Sequence, residues 1–241
     1  MSVGHQDKLL VMISREHLLL NLAVDIAILT VRDNQLQVLV IERANVPFQG
    51  ESALPGGFLR EGEDLRTAAD RELAEETGFD GNALHLEQLA AYGAPDRDPR
   101  GRVVSVAYLA IAPDLPAPAA GSDARSARWA PVVDIRSGLA FDHAQILDDA
   151  VERARRRLEF TTIATAFCGS KFTIGDLRNV YEVVWDMKLD PRNFNRKVIH
   201  TQGFVQPTGA KRAPETGRPA ALYASGPARS LNPPLLRNSA I

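Results

Sequence analysis

The 241-residue sequence contains a single cysteine, Cys168, which excludes an internal disulfide and fits a reducing, cytoplasmic setting. A small buried apolar role suffices for that side chain. The longest apolar stretch, residues 18–31, is interrupted by Asn21 and Asp25 and is too short to cross a bilayer. No secretory leader is expected, and no membrane partner. The five histidines, His143 among them, lack the spacing of metal ligands and are read as structural or solvated. There is no internal repeat. Glutamate is missing from 88 to 151.

What is present is enough to build a core. At 45% hydrophobic, the chain can form one large domain or two small ones. Its formal net charge of -2 hides an asymmetry. Residues 160–241 carry 11 Lys and Arg against 5 Asp and Glu, leaving 17 basic and 25 acidic residues before them. An acidic front and a basic back imply two modules, the second with a polyanionic partner.

Residues 1–15 read as a loose tail. Alternating apolar residues predict strands at 23–31 and 35–41, joined by an Asp33-Asn34 hairpin turn. Further strands are expected at 86–92, 102–111 and 127–135, with a surface loop at 113–126. A helix is expected over 142–160, with Asp142 as its N-cap.

Residues 57–79 carry the densest signal, Gly57-x5-Glu63-x7-Arg71-Glu72-Leu73-x-Glu75-Glu76-x-Gly78-Phe79. Glu72, Glu75 and Glu76 share one helix face, opposite Leu65, Ala68, Ala69 and Leu73. Such a face is either solvated or neutralised by a hard divalent cation, Mg2+ or Mn2+, that also takes phosphate oxygens. The helix is placed at about 64–77, ended by Gly78. Before it, Leu54-Pro55-Gly56-Gly57 is a tight turn from which the Gly56 carbonyl could reach a metal.

Every fixed position of this run resembles the signature of the Nudix hydrolases, G-x5-E-x7-R-E-U-x-E-E-x-G-U. The resemblance implies an α/β/α sandwich with a mixed sheet and a metal-bound nucleoside-diphosphate site. Glu72, Glu75 and Glu76 are then ligands, Glu63 orients the loop, and Arg71 holds the glutamates by ion pairing. Pro95 lies where ADP-ribose-type members carry a proline, although a plain turn residue fits equally. Nearby Arg97, Arg100 and Arg102 are candidates for phosphate or ribose contacts, or are solvated.

Beyond residue 160, Thr173 and Asp176 form a capping-box pattern ahead of an amphipathic helix bearing Ile174, Leu177, Tyr181 and Val184. Asp190-Pro191 then starts a second helix. Phe194, Val198 and Ile199 are expected to bury one side of it, with Arg192, Asn193, Asn195, Arg196 and Lys197 on the other. That layout predicts a helix-turn-helix. Arg suits guanine, Asn adenine and Lys phosphate. Phe204-Val205 and Ala221-Leu222-Tyr223 bracket a basic wing holding Lys211, Arg212 and Arg218. A helical subdomain for packing or dimerisation is the alternative.

Phe172-Thr173 through Tyr181-Glu182, the run 190–197 and the run 217–223 resemble the Nudix-related transcriptional regulators of NAD metabolism, the NrtR family. The similarity spans roughly 16–226. It implies a Nudix domain at 16–158 that binds ADP-ribose, a winged helix at 159–226, and a flexible tail at 227–241. It also implies a homodimer on a palindromic operator, released from double-stranded DNA by ADP-ribose. The competing expectation is a Mg2+-dependent ADP-ribose pyrophosphatase yielding AMP and ribose 5-phosphate. Its general base could be Asp96, Asp98, Asp114, Asp123, Asp134 or a glutamate of the signature.

Overall fold

The computed structural model describes residues 19–78, 84–114, 124–213 and 219–237. Among them, a mixed sheet is built from β1 (Asn21–Arg32), β2 (Gln35–Arg43), β3 (Ser52–Ala53), β4 (Gly56–Phe58), β5 (His85–Tyr92), β6 (Val103–Ile111) and β7 (Ala124–Pro131). The hairpin turn falls at Asp33 and Asn34, both at positive φ (49° and 58°), the conformation a two-residue hairpin loop requires.

β1 organises the sheet. It runs parallel to β6 from Asn21 to Leu29, while its other edge is shared. Residues 23–25 pair with β4, and residues 29–32 pair with β2. β2 then diverges to pair with β7. The gap between β2 and β4 is the cleft described below.

Each face of the sheet is covered. Helix α1 (Leu65–Thr77) lays Ala68, Ala69 and Leu73 on Ile26, Ile28 and Val106. Leu73 is fully buried, worth about 1.5–3 kcal/mol. Its ends match expectation: the Asp64 carboxylate accepts from the Thr67 amide at 2.8 Å, and Gly78 closes the helix at φ 70°. On the opposite face, α3 (His143–Phe160) packs Ile146, Leu147, Ala150, Val151 and Ala154 against Ala27, Leu29, Leu109 and Ile111.

Four expectations need correction. Residues 132–135, expected as strand, form a short helix, α2 (Val132–Ile135). Pro131 ends β7 and starts the helix, having a fixed φ and no amide proton to give the ladder. Asp142 stands at the N-cap of α3 but makes no cap bond, because Arg97 holds its carboxylate. Residues 227–237 do not behave as a tail: Leu231 and Leu235 are buried, and their amides donate to the carbonyls of Phe160 and Glu159. Ile199 is the fourth. It is 42% exposed, since Phe194 and Val198 already fill the buried side of its helix.

A 3-10 segment, Thr162–Phe167, leads into α4 (Ile174–Trp185), α5 (Pro191–His200), β8 (Val205–Arg212) and β9 (Ala220–Ser225). β8 and β9 form an antiparallel pair. Ile174, Leu177, Tyr181, Trp185, Phe194 and Phe204 join the apolar cluster that covers the α3 face of the sheet. No helix among the described residues is long and apolar enough to cross a membrane.

Candidate functional site

The cleft between β2 and β4 encloses about 320 Å³. Its floor is β4, Gly56-Gly57-Phe58, where the sequence suggested a tight turn but the chain pairs with β1; one wall is α1, and the other carries Asp25, Arg97 and Asp98. The first two residues of β4 are glycine for a spatial reason. A Cβ at Gly57 would collide with the Glu72 carboxylate, and one at Gly56 with the Val24 carbonyl.

The signature glutamates divide into two groups. Glu72 and Glu76 are buried and face β4, Glu76 accepting the Gly56 amide at 2.8 Å. Glu75 turns outward to Arg60 (3.0 Å) and Arg71 (3.2 Å). Arg71 also binds Glu63 (2.7 Å) and Glu72 (2.6 Å), the bracing role expected of it. That hydrogen bond, with one from the Arg60 amide, holds the Glu63 carboxyl down to about 2. Burial raises the Glu72 carboxyl despite Arg71 beside it. Among the described residues, no group of three His, Cys, Asp or Glu side chains is gathered as a metal site. The donors are nonetheless of the right kind for a hard cation: two buried carboxylates converge on the glycine pair of β4, too close for any side chain. Glu75 joins them only by leaving its arginines. Gly56 enters through its amide, already given to Glu76.

Opposite α1 stands a network that sequence reasoning missed. Asp25 accepts from Ser105 and from Arg97 (3.2 Å), and the His143 Nε2 lies 3.3 Å away. The Leu54 amide donates to His143 Nδ1 at 2.9 Å, which puts the ring proton on Nε2, facing Asp25. Burial pushes the Asp25 carboxyl up, but His143, Ser105 and Arg97 outweigh it and hold it at about 2. Arg97 continues to Asp142 at 2.6 Å. The available signal was Asp25 itself, a carboxylate within a strand whose neighbours are all buried.

The rim is cationic and aromatic. The Arg43 guanidinium lies 4.7 Å from the Phe141 ring centre, and that of Arg100 lies 4.9 Å from Phe58 and 5.4 Å from Phe141. Burial and the neighbouring Arg100 charge both depress the Arg43 pKa. Phe48 and Phe141 pack edge to face at 4.7 Å, both at positive φ (62° and 57°), where a bulky residue is strained. Of the other nominated residues, Arg97 and Arg100 line the cleft, Arg102 donates to the Ala94 carbonyl, and Pro95 is exposed in a turn.

The basic module has a second candidate surface. Thr173 and Asp176 form the expected capping box. The Asp190 carboxylate caps α5 by accepting from Asn193, and Tyr181 stacks edge to face on Phe194 at 5.3 Å. Arg192, Asn195 and Arg196 are exposed; Asn193 and Lys197 are half-buried. Asn193 Oδ1 accepts from Arg196 at 2.6 Å and so sets its guanidinium. Lys211 and Arg212 stand on β8 itself, opposite Ala221 and Ala220, and Arg212 pairs with Asp176 at 2.8 Å. Arg218 and Asp123 lie outside the described residues.

Residues 21–150 match the NUDIX domain, and residues 165–224 match the NrtR DNA-binding winged helix domain. The ADPR responsive transcriptional repressor NtrR of Acinetobacter baylyi is 34% identical over 205 residues, 84% of this chain and 80% of that protein. Shewanella oneidensis NrtR, solved in complex with a 27mer DNA, superimposes with a TM-score of 0.74 at 33% identity, covering 86% of this chain and 96% of that one. The NUDIX domain of the same Shewanella protein, solved with ADP ribose, gives a TM-score of 0.54 at 34% identity, over 62% of this chain and 99% of that one.

Proposed function

Because this chain belongs to the NrtR family of Nudix-related regulators, we propose that it is a DNA-binding transcriptional repressor whose Nudix domain senses ADP-ribose. The observation that carries this reading is one helix with two attachments. At its start, Asp142 and His143 belong to the cleft network. In its C-terminal half, Arg155 and Leu158 hold α4 of the winged helix: Trp185 donates to the Arg155 carbonyl and Tyr181 to the Leu158 carbonyl, each at 3.1 Å.

Diphosphate chemistry suits the cleft. Arg43 and Arg100 supply the charge, Phe58 and Phe141 the flat apolar surface. A divalent cation, Mg2+ or Mn2+, would be held by Glu72 and Glu76, with Glu75 recruited, and would neutralise phosphate oxygens. The operator contacts fall to Arg192, Asn195 and Arg196 toward bases, and to Lys197, Lys211, Arg212 and Arg218 toward phosphates. A homodimer would present two such helices to half-sites one helical turn apart, about 34 to 36 Å, or a multiple of it. Ligand binding need supply only about 1.4 kcal/mol of preference for a mismatched spacing to weaken operator binding tenfold.

Hydrolysis of ADP-ribose is the second reading, favoured by the intact signature. Of the aspartates considered as its base, Asp98 lines the cleft, and Arg100 holds its carboxylate at 2.6 Å. Asp96 lies in an exposed turn, and Asp114 pairs with Arg32. The glutamates of the signature, of which Glu72, Glu75 and Glu76 line the cleft, are the other candidates.

The test is fluorescence anisotropy on DNA from upstream of NAD-biosynthesis or salvage genes, at one salt concentration, with and without ADP-ribose. Tight binding released by ADP-ribose is expected. Release by AMP and ribose 5-phosphate instead, or equal ADP-ribose affinity for free and DNA-bound protein, would refute the sensor.

A further inference from the structure

The exposed face of α5 contains a residue to which the DNA-binding reading assigns no task. Arg192, Asn195, Arg196 and Ile199 recur at i, i+3, i+4 and i+7, and all four are exposed. At 100° per residue, Ile199 lies within about 20° of Arg192 around the axis, in the middle of the polar stripe. Phe194 and Val198, fully buried, take the opposite side against Tyr181. Ile199 remains 42% exposed although it stands on a helix that packs its other apolar residues completely.

An isolated exposed isoleucine is ordinary on a protein surface. This one is placed among side chains suited to base edges. Arginine matches the two acceptors of guanine, and asparagine matches the donor and acceptor of adenine. The major-groove feature that neither can use is the thymine methyl group, which takes an apolar contact. We propose that Ile199 is a specificity-determining residue that reads a thymine methyl in the major groove; this rests on the DNA-binding reading above. Ile199 lies one turn beyond Asn195 and three residues beyond Arg196. At about 1.5 Å of rise per residue, the thymine falls one or two base pairs from the base that Arg196 contacts.

The test uses the full chain and the duplex it enriches from a random-core library. Each thymine of that duplex is replaced in turn by deoxyuridine, which removes only the methyl group. In each half-site, one replacement should weaken binding about threefold to fivefold, the worth of one buried methyl. Ile199→Ala should bind the thymine and deoxyuridine duplexes equally, and Ile199→Leu should keep the preference. The salt dependence of binding should be the same in all three proteins, because phosphate contacts are untouched. If no thymine methyl matters, or if Ile199→Ala keeps the full methyl preference, the assignment is wrong. Equal weakening on both duplexes together with altered self-association would assign Ile199 to a protein contact and also overturn it. Failure to enrich any duplex would overturn the DNA-binding reading and this inference together.

Discussion

The Trp185 indole donates to the Arg155 backbone carbonyl across 3.1 Å, and the Arg155 guanidinium donates back to the Val184 carbonyl at 2.9 Å. These reciprocal bonds lock α4 of the winged helix to α3 of the Nudix domain. Trp185→Phe keeps the apolar ring and loses the donor. It should cost about 1–3 kcal/mol of stability, because a buried carbonyl loses its donor and the smaller ring leaves a gap. Its diagnostic effect is on coupling: ADP-ribose should bind nearly as well as before but release operator DNA less completely. Titrating both ligands against wild type and variant decides this, and unaltered coupling would remove α3 from the path.

Arg196 is preset by Asn193, whose side-chain oxygen accepts from the guanidinium at 2.6 Å. Arg196→Ala should weaken specific operator binding by roughly 1–3 kcal/mol while leaving non-specific binding largely intact. Competition with random-sequence DNA separates the two. Equal losses on both would make Arg196 a phosphate contact.

Glu76 accepts the Gly56 amide and, like Glu72, faces β4. Glu76→Gln should abolish divalent-dependent ADP-ribose binding, and any hydrolysis, while operator binding in the absence of ligand persists. Calorimetry with Mg2+ or Mn2+ supplies the first readout and anisotropy the second. Full ADP-ribose response in the variant would show that the carboxylate is not needed.

Glu87 bridges β5 to α3 through Arg153 (3.4 Å) and Arg157 (3.0 Å), with His85 beside it. Burial raises its carboxyl, but the bonds from His85 and Arg157 prevail and bring it down to about 2. A depressed carboxyl stabilises the fold above its ordinary range and loses that contribution as pH falls toward the folded value. Glu87→Gln should therefore lower stability at neutral pH by about 1–2 kcal/mol, discounted for partial exposure. The gap to wild type should close between about pH 4.5 and pH 2. Urea midpoints across that range test it, and a pH-independent gap would contradict the assignment.

What could be read from the chain was what lies close together in it. The Gly78 end of α1, the Asp33-Asn34 turn and the Thr173 capping box all depend on residues a few positions apart. The Asp25, Arg97, Asp142 and His143 network was not legible, because two strands, a loop and a helix must assemble before it exists. Arg97 illustrates the difference. As a sequence residue it was a candidate phosphate ligand; in the fold its guanidinium is enclosed by two carboxylates. Ile199 was misplaced for a related reason. Apolar character predicted burial, but the helix has a narrow buried side that Phe194 and Val198 already occupy.

One apolar cluster runs from the sheet through α3 to Phe194 and Phe204, and Leu231 and Leu235 close over it from the far end of the described chain. The two modules therefore share one apolar cluster, and the expected consequence is that they unfold together. Amides in α3 and α4 should exchange hydrogen only when the whole molecule opens, and heating should give one transition in place of two. A fragment ending near residue 160 would lose Tyr181 from the Leu158 carbonyl and Trp185 from the Arg155 carbonyl, so the sensor should be less stable alone than in the full chain.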